Sequence, residues 1–305
     1  MVTHFLTILD MSCSDAWKVL GRAAEMKATN HRGALLAGKN LALVFEKAST
    51  RTRVSFEVAI AHLGGKAIFM TTQDSQLGRD EPVRDTARVL SRYVDGMVVR
   101  TFEHEKLEEL AARSGVPVIN ALSDDYHPCQ VLSDILTIRE HASDLTGVRV
   151  AYVGDGNNMA HSWINAAVHF PIELSLVTPK AYAPKAHIME KAVALGARVL
   201  LSHDPASGVA GADYVYTDVW ASMGQEAEQD ARAKVFFPYQ VSEDLLRNAA
   251  KGCKVLHCLP AHRGEEITDE VMEGPRSLLW DQAENRLHMQ KAILEWVFDS
   301  KARTE

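Results

Sequence analysis

The sequence predicts an α/β protein built from two doubly wound parallel-sheet domains joined by two bridging helices. Short apolar runs, typical of buried strands, alternate with helix-like stretches along the whole chain. Ten such runs favour two sheets over one. The chain has 305 residues, enough for two domains with separate hydrophobic cores.

The ten predicted strands alternate with helices, and this order implies parallel sheets covered by helices on both faces. They are Leu41–Phe45, Ala67–Met70, Gly96–Thr101, Pro117–Asn120, Arg149–Val153, Leu174–Val177, Val199–Leu201, Tyr214–Thr217, Lys254–His257 and Ser277–Leu279.

Three helices matter for the domain division. Ser14-Asp15 predicts the cap of a first helix that runs to about Leu36. The helix from Cys129 to about Ala142 and the closing helix from about Gln282 to Lys301 are the candidates for bridging the domains. We therefore expect one domain at residues 1–140, completed by a closing helix at about 282–305, and a second at residues 141–281.

Composition excludes several classes of protein. Hydrophobic residues make up 47% of the chain and charged residues 24%, as in ordinary globular domains. The net charge of −7 argues against a nucleic-acid partner, and no apolar run approaches the ~20 residues of a membrane span. The first ten residues lack a signal-peptide pattern, and four cysteines are too few for a disulfide framework. A cytoplasmic location is the expectation.

The segment from Phe45 to Arg53, where a predicted strand passes into a predicted helix, has the chemistry of a phosphate site. Ser49 is a candidate N-cap, and the unpaired amides of a helix start favour an anion. Arg51 and Arg53 are permanently charged and can hold phosphate oxygens through two donors at once. The alternative is a capped surface helix with two solvated arginines.

Polar side chains follow five of the predicted strands. They are Arg100, His127, the pair Asn157-Asn158, Asp218 and Cys258. Ligands of open parallel sheets lie at the carboxyl ends of the strands, so these residues mark a candidate site.

Two cofactor interpretations are rejected from the residues alone. Gly154-Asp155-Gly156 follows a strand, but Met159 stands where the third glycine of a dinucleotide fingerprint belongs, which argues against NAD. The spacing of Cys253, His257, Cys258 and His262 suggests zinc, yet strand neighbours point to opposite faces and converge poorly on one ion. We expect neither a metal nor a cofactor.

Four segments carry a resemblance to a known family. Ser-Thr-Arg-Thr-Arg at 49–53 resembles the carbamoyl-phosphate loop of the carbamoyltransferases, and the preceding Phe-Glu-Lys is similar to the ornithine branch. His127-Pro128-Cys129-Gln130, the Asp-x-x-x-Ser-Met-Gly segment at 218–224 and His257-Cys258-Leu259-Pro260 resemble further motifs of the ornithine carbamoyltransferases. The resemblance spans Phe45 to Leu287.

The resemblance implies transfer of the carbamoyl group from carbamoyl phosphate to L-ornithine, giving L-citrulline and phosphate, a step of arginine metabolism. The first domain would bind carbamoyl phosphate and the second ornithine. The implied carbamoyl-phosphate ligands are Ser49, Thr50, Arg51, Thr52, Gln76, Arg100, His127, Gln130, Cys258, Leu259 and Arg286. The implied ornithine ligands are Asn158, Asp218, Ser222, Met223 and Cys258, and the implied catalytic residues are Arg51, Arg100, His127, Asp218 and Cys258. Gln76 would reach a neighbouring subunit, so the resemblance also implies a homotrimer or a multiple of trimers.

The implied reaction needs an uncharged amine. Neutralising a lysine-like amine of pKa near ~10.4 at pH 7 costs about 4–5 kcal/mol, so the rate should rise with pH through the neutral and alkaline range. Asp218 and Cys258 are both placed to take the proton, and the sequence leaves that choice open. Three alternatives stand: transfer to putrescine or to an N-acyl-ornithine, a nucleotide-dependent oxidoreductase, and a non-catalytic relative.

Overall fold

The structure is a computed structural model that describes residues 2–71, 81–142, 144–221 and 229–303, with only the backbone described at Gln229. The chain divides into two compact units. One comprises Met1–Leu136 and Asn285–Glu305, and the other comprises Thr137–Glu284.

The first unit is built on a four-stranded parallel sheet of order β2-β1-β3-β4. Its strands are Asn40–Phe45 (β1), Lys66–Thr71 (β2), Gly96–Arg100 (β3) and Val118–Leu122 (β4). Its helices are Cys13–Ala28 (α1), Thr50–His62 (α2), Val83–Leu90 (α3), His104–Arg113 (α4) and most of Pro128–His141 (α5).

The second unit holds a five-stranded parallel sheet of order β7-β6-β5-β8-β9. Its strands are Arg149–Val153 (β5), Glu173–Val177 (β6), Arg198–Ser202 (β7), Tyr214–Thr217 (β8) and Lys254–His257 (β9). Its helices are Asn158–His169 (α6), Ala186–Ala194 (α7), Pro205–Gly208 (α8), Gln229–Phe236 (α9), Glu243–Leu246 (α10) and Asp269–Glu273 (α11). The closing helix Leu279–Phe298 (α12) begins in this unit and ends in the first.

Both sheets reverse their strand order beside their first strand. In the first sheet β2 and β3 flank β1, and in the second β6 and β8 flank β5. Successive strands are therefore added in opposite directions, which opens a crevice at the carboxyl ends of the central strands. The crevice of the first sheet lies at the ends of β1 and β3, and that of the second lies at the ends of β5 and β8.

Burial explains why the apolar runs become central strands. All residues of β1 after Asn40 are buried, as are all five of β3, because helices cover both faces of each strand. Ala42, Val44 and Val99 pack with apolar residues of α3 and α4 in one core cluster. Val153, Val215 and Val255 share another cluster in the second unit.

The predicted fold class is confirmed, since two parallel sheets carry helices between their strands. The tenth predicted strand, Ser277–Leu279, is wrong. Ser277 forms only an isolated bridge with Val255, and Leu279 already begins α12, so the apolar run there is the approach to a helix. Among the described helices, none is long and apolar enough to cross a bilayer.

The predicted limits of the first helix are also wrong. Ser12, not Ser14-Asp15, is the N-cap, and its side chain accepts a hydrogen bond from the Asp15 N–H at 3.0 Å. The helix ends at Ala28, well before Leu36, because the chain turns through Asn30, whose φ of 46° is left-handed.

Candidate functional site

The junction of β1 and α2 is a capped helix start at the crevice of the first sheet. The Ser49 hydroxyl accepts a hydrogen bond from the Thr52 N–H at 3.2 Å, as predicted for an N-cap. Phe56 and Ile60 are buried and anchor α2 against the sheet. The first amides of α2, which include those of Thr50 and Arg51, therefore lie at a rigid helix start that favours an anion.

Three arginines and a histidine belong to this junction, and we call Arg51, Arg100, Arg286 and His127 the arginine cluster. The Arg286 Nη2 donates to the Thr52 hydroxyl at 2.6 Å, so α12 is tied to the start of α2. Arg100 closes β3 and is buried. Arg286 and Arg100 both lie close enough to His127 to act on its charge.

The environment of His127 keeps its imidazole neutral. Burial is the main cause and lowers the pKa of His127 well below 6.5, and the charges of Arg286 and Arg100 lower it further. A neutral imidazole can still donate a hydrogen bond to an oxygen that gains negative charge.

Gln130 is the third residue of α5 and lies three positions after His127, and one hydrogen bond orients its side chain among the described residues. Its Nε2 donates to the Asp134 carboxylate at 2.8 Å. Its Oε1 is buried and has no hydrogen-bond partner within the described part of the chain. The side chain therefore offers an acceptor to a ligand amide beside His127.

Two residues of the Phe-Glu-Lys motif connect strand ends, a role that the sequence did not assign to them. Glu46 accepts hydrogen bonds from the Thr101 hydroxyl and from Lys106 Nζ, the latter at 3.3 Å. Lys47 pairs with Asp124 and lies 4.4 Å from the centroid of the Phe102 ring. These contacts fix the end of β1 against the segments that follow β3 and β4.

In the second unit Asp218 and Cys258 lie together at the ends of β8 and β9. The Cys258 thiol donates to the Asp218 Oδ1 at 2.9 Å, and the Val219 N–H donates to the same oxygen at 2.8 Å. The Asn157 Nδ2 donates to the Asp218 Oδ2 at 2.9 Å. We call Asp218, Cys258 and Asn157 the amine cluster, because a carboxylate beside a thiol can hold an amine or receive its proton.

The paired asparagines have different positions. Asn157 is the N-cap of α6, and its Oδ1 accepts from the Met159 N–H at 2.9 Å and from the Tyr152 hydroxyl at 3.0 Å. Asn158 is the first residue of α6 and is half-buried. The contact of Asn158 with a ligand stays a prediction. The hydrogen bond from Asn157 to Asp218 was not predicted, and the only feature of the sequence that indicated a structural role for Asn157 was its position as a candidate N-cap.

In the His257-Cys258-Leu259-Pro260 segment, hydrogen bonds fix the residues on both sides of Cys258. The His257 Nδ1 accepts from the Leu259 N–H at 2.8 Å, so its Nε2 carries the proton and donates to the buried Glu266 at 2.9 Å. The His257 N–H donates to Gln282 Oε1 at 2.8 Å. Leu259 has a φ of 57° and precedes a cis peptide bond to Pro260.

A different group from the rejected zinc pattern has ligand-like spacing. Atoms of His262, Glu265 and Glu266 lie within 4.8 Å of one another. One oxygen of Glu266 already accepts from His257 and from the His262 N–H at 2.6 Å, so this carboxylate has a structural role.

Three predicted site residues, Gln76, Ser222 and Met223, lie outside the described residues. The other predicted residues fall into two sets. Ser49, Thr50, Arg51, Thr52, Arg100, His127, Gln130 and Arg286 belong to the first unit, and Asn158, Asp218, Cys258 and Leu259 belong to the second.

Comparison with known proteins matches both units. A model of the aspartate/ornithine carbamoyltransferase carbamoyl-P binding domain matches residues 3–140, and one of the Asp/Orn binding domain matches residues 146–297. An ornithine carbamoyltransferase of Nitratidesulfovibrio vulgaris is 59% identical over 298 residues, which cover 98% of this chain and 99% of the relative. The chain belongs to the ornithine carbamoyltransferase family.

Other members of the ornithine carbamoyltransferase family agree in sequence and in structure. The anabolic ornithine carbamoyltransferase of Pseudomonas aeruginosa is 52% identical over 301 residues, covering 98% of each chain. The structure of the ornithine carbamoyltransferase from Pyrococcus furiosus superposes with a TM-score of 0.93 at 48% identity, covering 98% of each chain. The family resemblance read from the sequence is thereby confirmed.

Proposed function

We propose that this chain transfers the carbamoyl group of carbamoyl phosphate to the δ-amine of L-ornithine and releases L-citrulline and phosphate. The observation that carries the proposal is the Asp218–Cys258 hydrogen bond at the ends of β8 and β9. It occurs in a chain that matches ornithine carbamoyltransferases over nearly its whole length. The pair can hold an amine and accept its proton, which an enzyme that transfers a carbamoyl group to an amine needs and a protein that only binds phosphate does not.

Carbamoyl phosphate binds to the first domain, which we assign to residues 1–140 with the closing helix at about 282–305 and which contains the first unit. Ser49, Thr50, Arg51 and Thr52 hold the phosphate through the start of α2, and Arg286 assists through its contact with Thr52. Gln76 completes the set from a neighbouring subunit.

Arg100, His127 and Gln130 act on the carbamoyl group. Arg100 and His127 donate to the carbonyl oxygen, whose negative charge grows when the amine attacks. Because its pKa is lowered, His127 donates as a neutral group and keeps its proton. Gln130 accepts from the carbamoyl amide through its buried oxygen, which orients the carbonyl carbon for attack.

Ornithine binds to the second domain, which we assign to residues 141–281 and which lies within the second unit. Asn158, Ser222 and Met223 hold its α-amino acid group, and the amine cluster receives the δ-amine. Asp218 or Cys258 takes the proton, after which the neutral amine attacks and phosphate leaves. The resemblance to the family also adds Cys258 and Leu259 to the proposed carbamoyl-phosphate ligands. No covalent enzyme intermediate forms, and the rate rises with pH as the amine loses its proton.

The active assembly in this proposal is a homotrimer in the cytoplasm, as the Gln76 contribution requires more than one subunit. The reaction serves arginine biosynthesis, which the match to an anabolic relative supports.

A citrulline assay tests the proposal. Purified enzyme given both substrates should release citrulline and phosphate in equal amounts, and neither product should form when one substrate is omitted. The alternative function is carbamoylation of putrescine or of an N-acyl-ornithine. Carbamoylation of putrescine or of an N-acyl-ornithine supplied in place of ornithine, with no citrulline from ornithine, would favour that alternative. Phosphate release without any carbamoylated product would indicate a phosphatase.

A further inference from the structure

A buried arginine on α9 lies outside every role assigned above. The side chain of Arg232 is 5% exposed, and it forms an ion pair with Asp155, whose side chain is 13% exposed. Its Nε donates to the Trp220 carbonyl at 2.5 Å. One guanidinium therefore joins the segment after β5 to the segment after β8.

Aromatic rings fix the plane of this guanidinium. It lies 4.6 Å from the centroid of the Tyr182 ring and 5.3 Å from that of Phe236. Phe236 also stacks on Trp220, with ring centroids 6.0 Å apart. A guanidinium held in this way loses little conformational freedom when it forms hydrogen bonds. A lysine ammonium lacks the planar set of donors that bonds two acceptors at once, so it could not replace Arg232.

Both partners of Arg232 adjoin the residues that hold Asp218. Trp220 lies two residues after Asp218, and Asp155 lies two residues before Asn157, the residue that donates to Asp218. The packing at Asp155 is equally tight. A Cβ added to the neighbouring Gly156 would lie 2.3 Å from the backbone nitrogen of Pro184. The Arg232 contacts therefore reach both segments that hold Asp218.

We propose that Arg232 and Asp155 form a positioning pair that holds the Asp218 carboxylate in the geometry required for the ornithine amine. The inference rests on the proposed function. It adds two residues, Arg232 and Asp155, to which the proposed function gives no contact with either substrate. Loss of the pair should impair the use of ornithine and leave carbamoyl-phosphate binding in the first unit unchanged.

The charge of the pair depends on pH through the carboxyl group of Asp155. Burial raises the pKa of Asp155 to about 6, Arg232 opposes that rise, and the negative charge of Asp218 adds to it. Tyr152 is a further ionisable group near Asp155. Burial raises the pKa of Tyr152, and the negative charge of Asp155 contributes to that rise. Asp155 is therefore ionised and paired at pH 7, and it gains a proton as the pH falls through about 6.

The first test compares Arg232→Gln, Arg232→Lys and Asp155→Asn, with Arg247→Gln as the control. Arg247 is 77% exposed and pairs only with Asp244 among the contacts described. We expect kcat/KM for ornithine to fall about tenfold or more in all three variants, the loss typical of one charge-assisted hydrogen bond. KM for carbamoyl phosphate should stay within about twofold of wild type, as should both constants in the control.

Two further results separate positioning from a general loss of structure. The double variant Arg232→Gln/Asp155→Asn should be about as impaired as either single variant, because the two residues act as one unit. In wild type, kcat/KM for ornithine should fall more steeply below about pH 6 than titration of the δ-amine alone requires, and this extra dependence on pH comes from protonation of Asp155. That pH dependence should disappear in Asp155→Asn, a nearly isosteric change that tests the pair even if Arg232→Gln folds poorly.

Ornithine kinetics at wild-type level in Arg232→Lys and Asp155→Asn would overturn the inference, as would equal losses toward both substrates. The proposed function fails separately, when the wild-type enzyme forms no citrulline.

Discussion

At the scale of single residues, the proposed function divides the chemistry between two clusters, one for an anion and one for an amine. In the arginine cluster, burial and the charges of Arg286 and Arg100 keep His127 neutral, and in the amine cluster a thiol lies 2.9 Å from a carboxylate. This separation means that substitutions in one cluster should affect one substrate far more than the other.

Replacing Cys258 tests the amine cluster. In Cys258→Ala the Asp218 Oδ1 loses one of its donors, and we expect kcat/KM for ornithine to fall about 10- to 100-fold. KM for carbamoyl phosphate should change less than about threefold. Steady-state kinetics with each substrate varied in turn measure both values, and Cys253→Ala is the control because Cys253 is a buried thiol in the same unit without a role in the site. Equal losses for the two substrates would contradict the assignment.

Replacing Arg51 should have the opposite effect. Arg51→Ala removes a permanent charge from the start of α2, so KM for carbamoyl phosphate should rise about 100-fold or more. KM for ornithine, measured at saturating carbamoyl phosphate, should rise far less. The control is Arg88→Ala, since Arg88 is 57% exposed and pairs with Asp85 on the surface of α3. A carbamoyl-phosphate KM unchanged in Arg51→Ala would show that the phosphate binds elsewhere.

Some of these residue roles could be read from the sequence and others could not. Ser49, Arg51 and His127 occupy positions that strand and helix patterns alone identify. The role of Asn157 depends on Asp218, which is 61 residues away, and that of Arg232 depends on Asp155, 77 residues away. Nothing in the local pattern of either segment specifies such a partner, because the fold alone brings the two together.

At the scale of elements, the start of α2 is where sequence and function coincide most closely. Ser49 caps the helix, Thr52 donates its amide to that cap, and the Thr52 hydroxyl accepts from Arg286. One helical turn thus organises the residues that we propose as phosphate ligands.

The cap can be tested separately from the phosphate contact. Ser49→Ala should lower the free energy of unfolding by about 1 kcal/mol through loss of the Thr52 N–H bond. Ser242→Ala, at the N-cap of α10, should cost a similar amount because its hydroxyl accepts from the Leu245 N–H in the same way. Urea unfolding compares the two variants. Only Ser49→Ala should also raise KM for carbamoyl phosphate, and the same rise in both would assign the effect to stability alone.

Element boundaries were predicted well where burial and capping agree and poorly where they do not. Arg149–Val153, Tyr214–Thr217 and Lys254–His257 were predicted with the limits that the strands have. The first helix was extended too far because its polar continuation beyond Ala28 contains helix-compatible residues, and only the left-handed Asn30 marks its end. The run at Ser277 was misread because an apolar approach to a helix resembles a short strand.

At the scale of the whole molecule, buried histidines make folding sensitive to acid. Burial is the main cause of the lowered pKa of both His104 and His127. Between pH 6.5 and their folded-state pKa the unfolded chain binds more protons than the folded chain, so stability falls as pH falls. Asp155 has the opposite effect on stability. Its pKa in the folded chain is raised to about 6, so as the pH falls the folded chain binds this proton before the unfolded chain does, which favours folding.

We therefore expect the free energy of unfolding to decrease between pH 7 and pH 5, by at most about 1.4 kcal/mol per pH unit for each of the two histidines. Asp155 should offset part of this decrease below pH 6. Urea unfolding across this range measures the slope, and His104→Asn should flatten it. A stability that rises toward pH 5 in the wild-type protein would contradict the proposed neutral state of these histidines.

The choice of amine tests the central claim most directly. The enzyme should be given carbamoyl phosphate with equal concentrations of L-ornithine, putrescine and N-acetyl-ornithine in one vessel, and the carbamoylated products quantified by mass spectrometry. We expect citrulline to exceed either other product by about 100-fold or more, because the proposed site combines the amine cluster with residues for a free α-amino acid group. Preferential carbamoylation of putrescine or of the acylated amine, or no carbamoylation at all, would contradict it.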